Sequence, residues 1–93
     1  MAHQMVSFTI LNEAIATYNE YRSPMATAEL VSYAEDAFTV RFKGPFCRMC
    51  CDYDYFEDLI YELDDLGEDP SLIDINEITY EENEKFVVEF SII

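Results

Sequence analysis

Three cysteines fall within five positions, Cys47-Arg48-Met49-Cys50-Cys51. Two thiols two residues apart can ligate one metal ion or close a redox-active disulfide, because a turn brings their sulfurs together. A four-coordinate structural zinc site takes four ligands. Here the candidates are Cys47, Cys50, Cys51 and the single histidine, His3, so a second pair of ligands would come from another copy of the chain. A redox cysteine has its thiolate favoured by a neighbouring cation or a helix N-terminus. Arg48 acts that way, while Asp52 and Asp54 act against it. The chain also lacks the additional parallel strand and the length of a thioredoxin-like domain. Three readings stay open: packed, small apolar side chains, the usual role of a free Cys; a structural disulfide or weak redox pair; and a metal site.

The second chemistry-bearing feature is the run of carboxylates that follows. At helical spacing, Asp54, Glu57, Asp58, Glu62, Asp64 and Asp65 are expected to project away from an apolar stripe. Asp54/Asp58 and Asp58/Glu62 lie four apart and repel, at about 0.2–0.5 kcal/mol per pair. Asp64, Asp65, Glu68 and Asp69 gather at the C-terminal end, where the helix dipole is already negative. No Lys or Arg alternates with them. Tyr61 falls among these acids, and Tyr53 and Tyr55 flank the helix start. Tyr61 has the character of a contact anchor, whereas Tyr53 and Tyr55 read as packing residues. Such a face suits a basic protein surface or a weakly held cation. A solvated surface uses the same residues, and charge runs commonly serve that end. Asp52-Tyr53-Asp54 lacks the later Gly and Glu of a calcium-binding EF-hand loop.

Charge is segregated along the chain. The formal net charge is −15, and residues 52–84 carry fourteen acids and no base. A chain so charged repels phosphate backbones, which excludes direct nucleic-acid binding from the expected functions. The longest apolar stretches fall far short of the ~18 residues of a membrane span. No basic start and apolar run of a signal peptide precede residue 5. A cytoplasmic location, reduced thiols and no membrane partner are therefore expected. Catalysis has little to rest on. A Ser-His or Cys-His pair would depend on His3, the carboxylates are too many to single out an acid and a base, and two glycines build no phosphate loop.

Two helices and four strands must position these groups. Leu11, Ala14, Ile15, Tyr18 and Tyr21 recur at helical spacing across Ser7–Tyr21, with Pro24 closing the segment. Met5–Leu11 also alternates as a strand would. Thr27–Ala34 and Ala37–Lys43 read as strands around a Glu35-Asp36 turn, with Phe38, Val40 and Phe42 on one face. Beyond Gly44-Pro45, a helix is expected from about Tyr55 to Leu66. Asp54 and Glu57 stand at capping-box spacing, Phe56, Leu59, Ile60, Leu63 and Leu66 form the buried stripe, and Gly67 sits at the left-handed C-terminal position. Leu72–Tyr80 and Lys85–Ile93 read as a closing hairpin.

In that last strand Phe86, Val88, Phe90 and Ile92 line one face, while Val87 and Ile93 add apolar bulk to the other. A strand apolar on both faces is normally covered on both. One layer of two helices covers one side of a four-stranded sheet, so the other side is expected to meet a second copy of the chain. The composition leans the same way: 51% of the residues are apolar, with seven Phe and seven Tyr, and a small domain has limited interior in which to hide them. The expected fold is one α+β domain spanning residues 1–93, an antiparallel sheet with helices on one face in the order α-β-β-α-β-β. Its sheets would be packed or interlaced in a homodimer around Phe86, Val87, Val88, Phe90, Ile92 and Ile93.

The strand Phe38–Phe42, the acidic helix Tyr53–Leu66 and the Lys85–Ile93 ending resemble, over the whole length, a family of small acidic archaeal orphan proteins of unassigned function. That resemblance implies an intertwined α+β homodimer and supplies no activity. The expected function is thus a non-enzymatic interaction protein, itself dimeric, that docks a basic partner through residues 54–69. The alternative is a metal-binding or redox-active thiol site at Cys47 and Cys50, shared across a dimer, with that metal ion as the one conceivable cofactor.

Overall fold

The computed structural model describes residues 7–34, 36–45, 52–82 and 84–92. In chain order they form α1 (Phe8–Arg22), β1 (Thr27–Ala34), β2 (Ala37–Lys43), α2 (Asp52–Asp65), β3 (Ile73–Glu81) and β4 (Lys85–Ile92), with a short 3-10 turn, Pro70–Leu72, leading into β3. The strands make one antiparallel sheet in the order β1-β2-β4-β3. This is the α+β fold and the element order that the hydrophobic periodicity predicts.

Helix α1 starts where the chain has a capping side chain: the Ser7 Oγ accepts a hydrogen bond from the Ile10 N–H at 3.0 Å. Leu11, Ala14, Ile15 and Tyr18 then bury one stripe. The alternative strand over Met5–Leu11 is therefore excluded from residue 8 onward, and residues 5 and 6 lie outside the described part. Tyr21, assigned to the same stripe by its spacing, is 73% exposed. It stands on the stripe's flank in the final helical turn.

Helix α2 begins at Asp52 rather than near Tyr55. Asp54 consequently lies within the first turn, where a carboxylate favours the positive end of the helix dipole, and is not the capping residue. At the other end Gly67 has φ +99°. The Glu68 N–H donates to the Leu63 carbonyl and the Gly67 N–H to the Asp64 carbonyl, both at 3.0 Å. These are the paired bonds of a left-handed helix terminator, and glycine adopts that conformation without a Cβ penalty. Gly44 is required for a different reason. Its φ is +136°, and a Cβ there would collide with the Met25 carbonyl oxygen.

Between the helices and the sheet lies a core rich in aromatic rings. Phe38 and Phe90 face each other across β2 and β4 and stack at 5.1 Å. Phe42 meets Tyr18 of α1 at 5.6 Å and Phe56 of α2 at 5.1 Å, so one central-strand side chain joins both helices to the sheet. Val40, Val88, Leu59, Leu63 and Leu11 fill the remaining space, all fully buried. Side chains of this size contribute about 1.5–3 kcal/mol each on burial.

The outward face of the sheet carries Val87, as the alternation of β4 predicts, among mostly polar neighbours. The outward positions of β4 among the described residues are Lys85, Val87, Glu89 and Ser91, opposite Ala37, Thr39, Arg41 and Lys43 on β2 and Asp74, Glu77, Thr79 and Glu81 on β3. Val87 is thus an apolar side chain whose immediate neighbours on that face, Lys85, Glu89, Arg41 and Thr79, are polar. Phe86, Val88, Phe90 and Ile92 turn toward the helices, where Val88 and Phe90 are fully buried within one chain. Phe86 and Ile92 are partly buried, and Ile93 lies outside the described residues. Cross-strand pairing explains the polarity. Arg41 reaches Glu29 of β1 at 3.2 Å and Glu81 of β3 at 3.0 Å, binding three strands from the solvent side.

Candidate functional site

The acidic helix has two sides with different roles. Asp58 and Glu62, one turn apart, lie on the side of α2 toward α1, with the Asp58 side chain still partly in solvent. The Arg22 guanidinium donates to Asp58 Oδ2 at 3.3 Å and to Glu62 Oε2 at 3.0 Å. It also lies 4.6 Å from the centre of the Tyr18 ring. Burial alone would lower the Arg22 pKa, but its hydrogen bonds to Glu62 and Asp58 outweigh that and raise it. The Glu62 side chain is only 14% exposed, so this carboxylate belongs to the contact between the helices. The expectation that Glu62 projects outward is corrected here, while Asp58 pairs with the same cation and stays partly exposed. Their repulsion is neutralised by a cation from the other helix, a partner that spacing along α2 alone does not reveal.

Tyr18 completes this junction. Its hydroxyl donates to the Tyr55 carbonyl at 2.8 Å, tying the middle of α1 to the first turn of α2. Burial pushes the Tyr18 phenol well above its ordinary value; Arg22 opposes that shift, and Asp58 adds to it.

The other predicted residues do reach the surface. Asp54, Asp64 and Asp65 are exposed, Glu57 is half-exposed, and Tyr61 among them is 58% exposed. No ion pair among the described residues engages these four acids, and α2 carries no base in its last turn. Glu68 is half-buried beyond the helix end. Asp69 acts locally. Its carboxylate accepts from the Ser71 hydroxyl at 2.7 Å and the Ser71 N–H at 3.0 Å, which opens the 3-10 turn. Those two bonds hold its pKa below the ordinary carboxylate range. The outer side of α2 is therefore a field of carboxylates around one exposed tyrosine, suited to attracting cationic groups and providing a ring face on which they can rest.

Cys47, Cys50, Cys51 and His3 lie outside the described residues. Among the described residues no three Cys, His, Asp or Glu side chains come together to hold a metal ion, the one fully buried side chain with a polar group is Tyr18, and no helix is long and apolar enough to cross a membrane. The Tyr18 hydroxyl is taken up by the Tyr55 carbonyl, so among the described residues the core offers no buried carboxylate, imidazole or thiol.

Two further arrangements escape a reading of the sequence. On the outer sheet face, Glu77 and Glu89 stand directly opposite each other on β3 and β4. With Thr39, Thr79 and Val87 they line an open depression of about 120 Å³. At the β1 edge, the Asn19 side-chain amide donates to the Ala28 carbonyl at 3.0 Å and accepts from the Ala28 N–H at 2.7 Å. The available signal is a weak helix former next to the buried Tyr18. No protein-family model and no curated protein sequence matches the chain.

Proposed function

We propose that the protein is a non-enzymatic interaction module that docks a basic protein surface through the outer side of α2, residues 54–69. The observation that supports this reading is the division of α2 into a paired side and an unpaired side. Asp58 and Glu62 are held by Arg22, whereas Asp54, Glu57, Asp64 and Asp65 surround the exposed Tyr61 and have no described cation of their own. A helix tuned only for stability would place bases near its C-terminus; this one places Asp64 and Asp65 there. Lys and Arg side chains of a partner would supply the missing charge, and the net charge of −15 would steer their approach.

An oligolysine peptide serves as the probe, titrated by fluorescence anisotropy at low and high salt. Binding is expected to weaken steeply with salt and by about tenfold or more in the Asp64→Lys/Asp65→Lys variant. The control is Glu13→Lys/Glu20→Lys on the exposed side of α1, which changes the net charge equally. Equal losses in the two variants would mean that overall charge, not this face, binds the probe, and the α2 assignment would fail.

A further inference from the structure

The two edges of the sheet are finished differently. At β1, both backbone hydrogen-bonding groups of Ala28 are taken by the Asn19 amide, so a side chain occupies the place where another strand would pair. β3 is the strand at the opposite edge. It pairs with β4 alone, and among the described residues no side chain engages its backbone.

Beyond the irregularity between Ile75 and Glu77, β3 alternates strictly. Ile78 and Tyr80 turn to the helix side, opposite Val88 and Phe86, while Glu77, Thr79 and Glu81 turn outward. Ile78 is 37% exposed and Tyr80 58%, although both lie on the face that the helices cover elsewhere. Tyr80 extends a line of aromatic contacts, meeting Phe86 at 5.1 Å, which meets Phe56 of α2 at 5.3 Å. On the other face, Glu77 directly opposes Glu89, a like-charge pair that weakens the sheet. Glu81 already has Arg41; no described cation lies within ion-pair distance of Glu77.

We propose that the edge of β3 from Glu77 to Glu81 accepts an extended segment of another protein as a fifth strand, one that alternates apolar with basic side chains. Main-chain hydrogen bonds to the open edge would hold it, and side-chain alternation would select it. Its apolar residues extend the Ile78–Tyr80 surface, and its Lys or Arg residues answer Glu77. A second copy of this chain is the wrong occupant on charge, since its own Asp74, Glu77 and Glu81 would face the same acids. The site is separate from the outer side of α2 and does not depend on it.

The probe is a nine-residue peptide, the length of β3, alternating lysine with valine. Its control has the same composition with the lysines grouped together. The alternating peptide is expected to bind about tenfold more tightly or better, and to slow amide hydrogen exchange in β3. Glu77→Lys, which relieves the repulsion from Glu89 and so keeps the fold, is expected to abolish that preference, whereas Asp64→Lys/Asp65→Lys preserves it. N-methylating alternate amides of the peptide distinguishes strand addition from charge attraction: one set of positions loses binding and the other keeps it. Equal binding of the two peptides, or indifference to which amides are methylated, overturns the proposal and leaves the α2 reading standing. Slow exchange of the outer β3 amides in the free protein also overturns it, because the edge is then already filled by a second copy or by the chain itself.

Discussion

The two edge strands face the same physical problem and meet it in different ways. An edge presents unpaired N–H and C=O groups that can template association. At β1, α1 lies alongside and Asn19 closes the edge at Ala28 with two hydrogen bonds. At β3, among the described residues, there is no helix-borne amide; protection comes from the outward acids Asp74, Glu77 and Glu81 and from the irregularity at Ile75–Glu77. The first device closes the edge at Ala28 to any strand, whatever its charge. The second repels acidic strands and favours a basic one. The difference between steric closure and charge selection is therefore where this fold has room for recognition.

The largest expected effect contrasts the cover over the two edges. Leu11 of α1 is fully buried, and Leu11→Ala should lower stability by about 2–5 kcal/mol through lost burial and the cavity left behind. Ile78→Ala on β3 should cost about 1 kcal/mol or less, because that side chain is already partly in water. Urea denaturation of both variants checks this, and equal losses would show that β3 is covered as fully as β1. Next in size is Asn19→Ala, with an expected loss of about 1–3 kcal/mol as the Ala28 groups lose their partners. Amide exchange at Ala28 should accelerate in that variant. An unchanged Ala28 rate would mean that Asn19 does not close the edge.

Much of this arrangement is legible in the sequence because hydrophobic period and secondary structure coincide. Phe38, Val40 and Phe42 alternate, and Phe56, Leu59, Ile60 and Leu63 recur at helical spacing, so β2 and the buried stripe of α2 can be placed from one residue to the next. Interactions between elements cannot. Nothing in the spacing of Asp58 and Glu62 points to Arg22, because that pairing depends on how α1 and α2 cross. The outward face of β4 is legible only in part, for a related reason. Along the chain Val87 reads as half of an apolar face, yet its strand neighbours on that side are Lys85 and Glu89, and its cross-strand neighbours are Arg41 and Thr79. The thiols are readable only as a motif, since Cys47, Cys50 and Cys51 fall outside the described residues.

Alkaline pH offers a smaller and more selective way to loosen the covered edge. Burial raises the Tyr18 pKa in the fold, while the unfolded chain releases that proton near the ordinary phenol value of about 10. The unfolded state thus loses its proton first. The Tyr18 contribution is fully present below about pH 10 and declines as pH rises above it. In Tyr18→Phe the hydroxyl bond to Tyr55 is lost, at about 0.5–1.5 kcal/mol, and the alkaline slope of stability should flatten. Denaturation midpoints measured from neutral to alkaline pH test both parts. A slope unchanged by the substitution would place the alkaline sensitivity elsewhere.

The smallest effect is expected on the approach to β3, and its sign is opposite. Asp69 accepts two hydrogen bonds from Ser71, which lower its pKa in the folded chain. A depressed carboxylate stabilises the fold above its unfolded pKa, and that contribution disappears as pH falls through the folded value. Being fully exposed, the group should contribute only a slight acid-side slope. In Ser71→Ala the hydroxyl bond is gone while the backbone bond remains, so part of the slope should disappear; in Asp69→Asn all of it should. NMR titration of the Asp69 carboxyl in the parent chain and in Ser71→Ala gives the direct reading, with a rise toward the ordinary aspartate range expected in the variant. If the value does not move, the Ser71 hydroxyl is not what holds the turn at the entrance to β3.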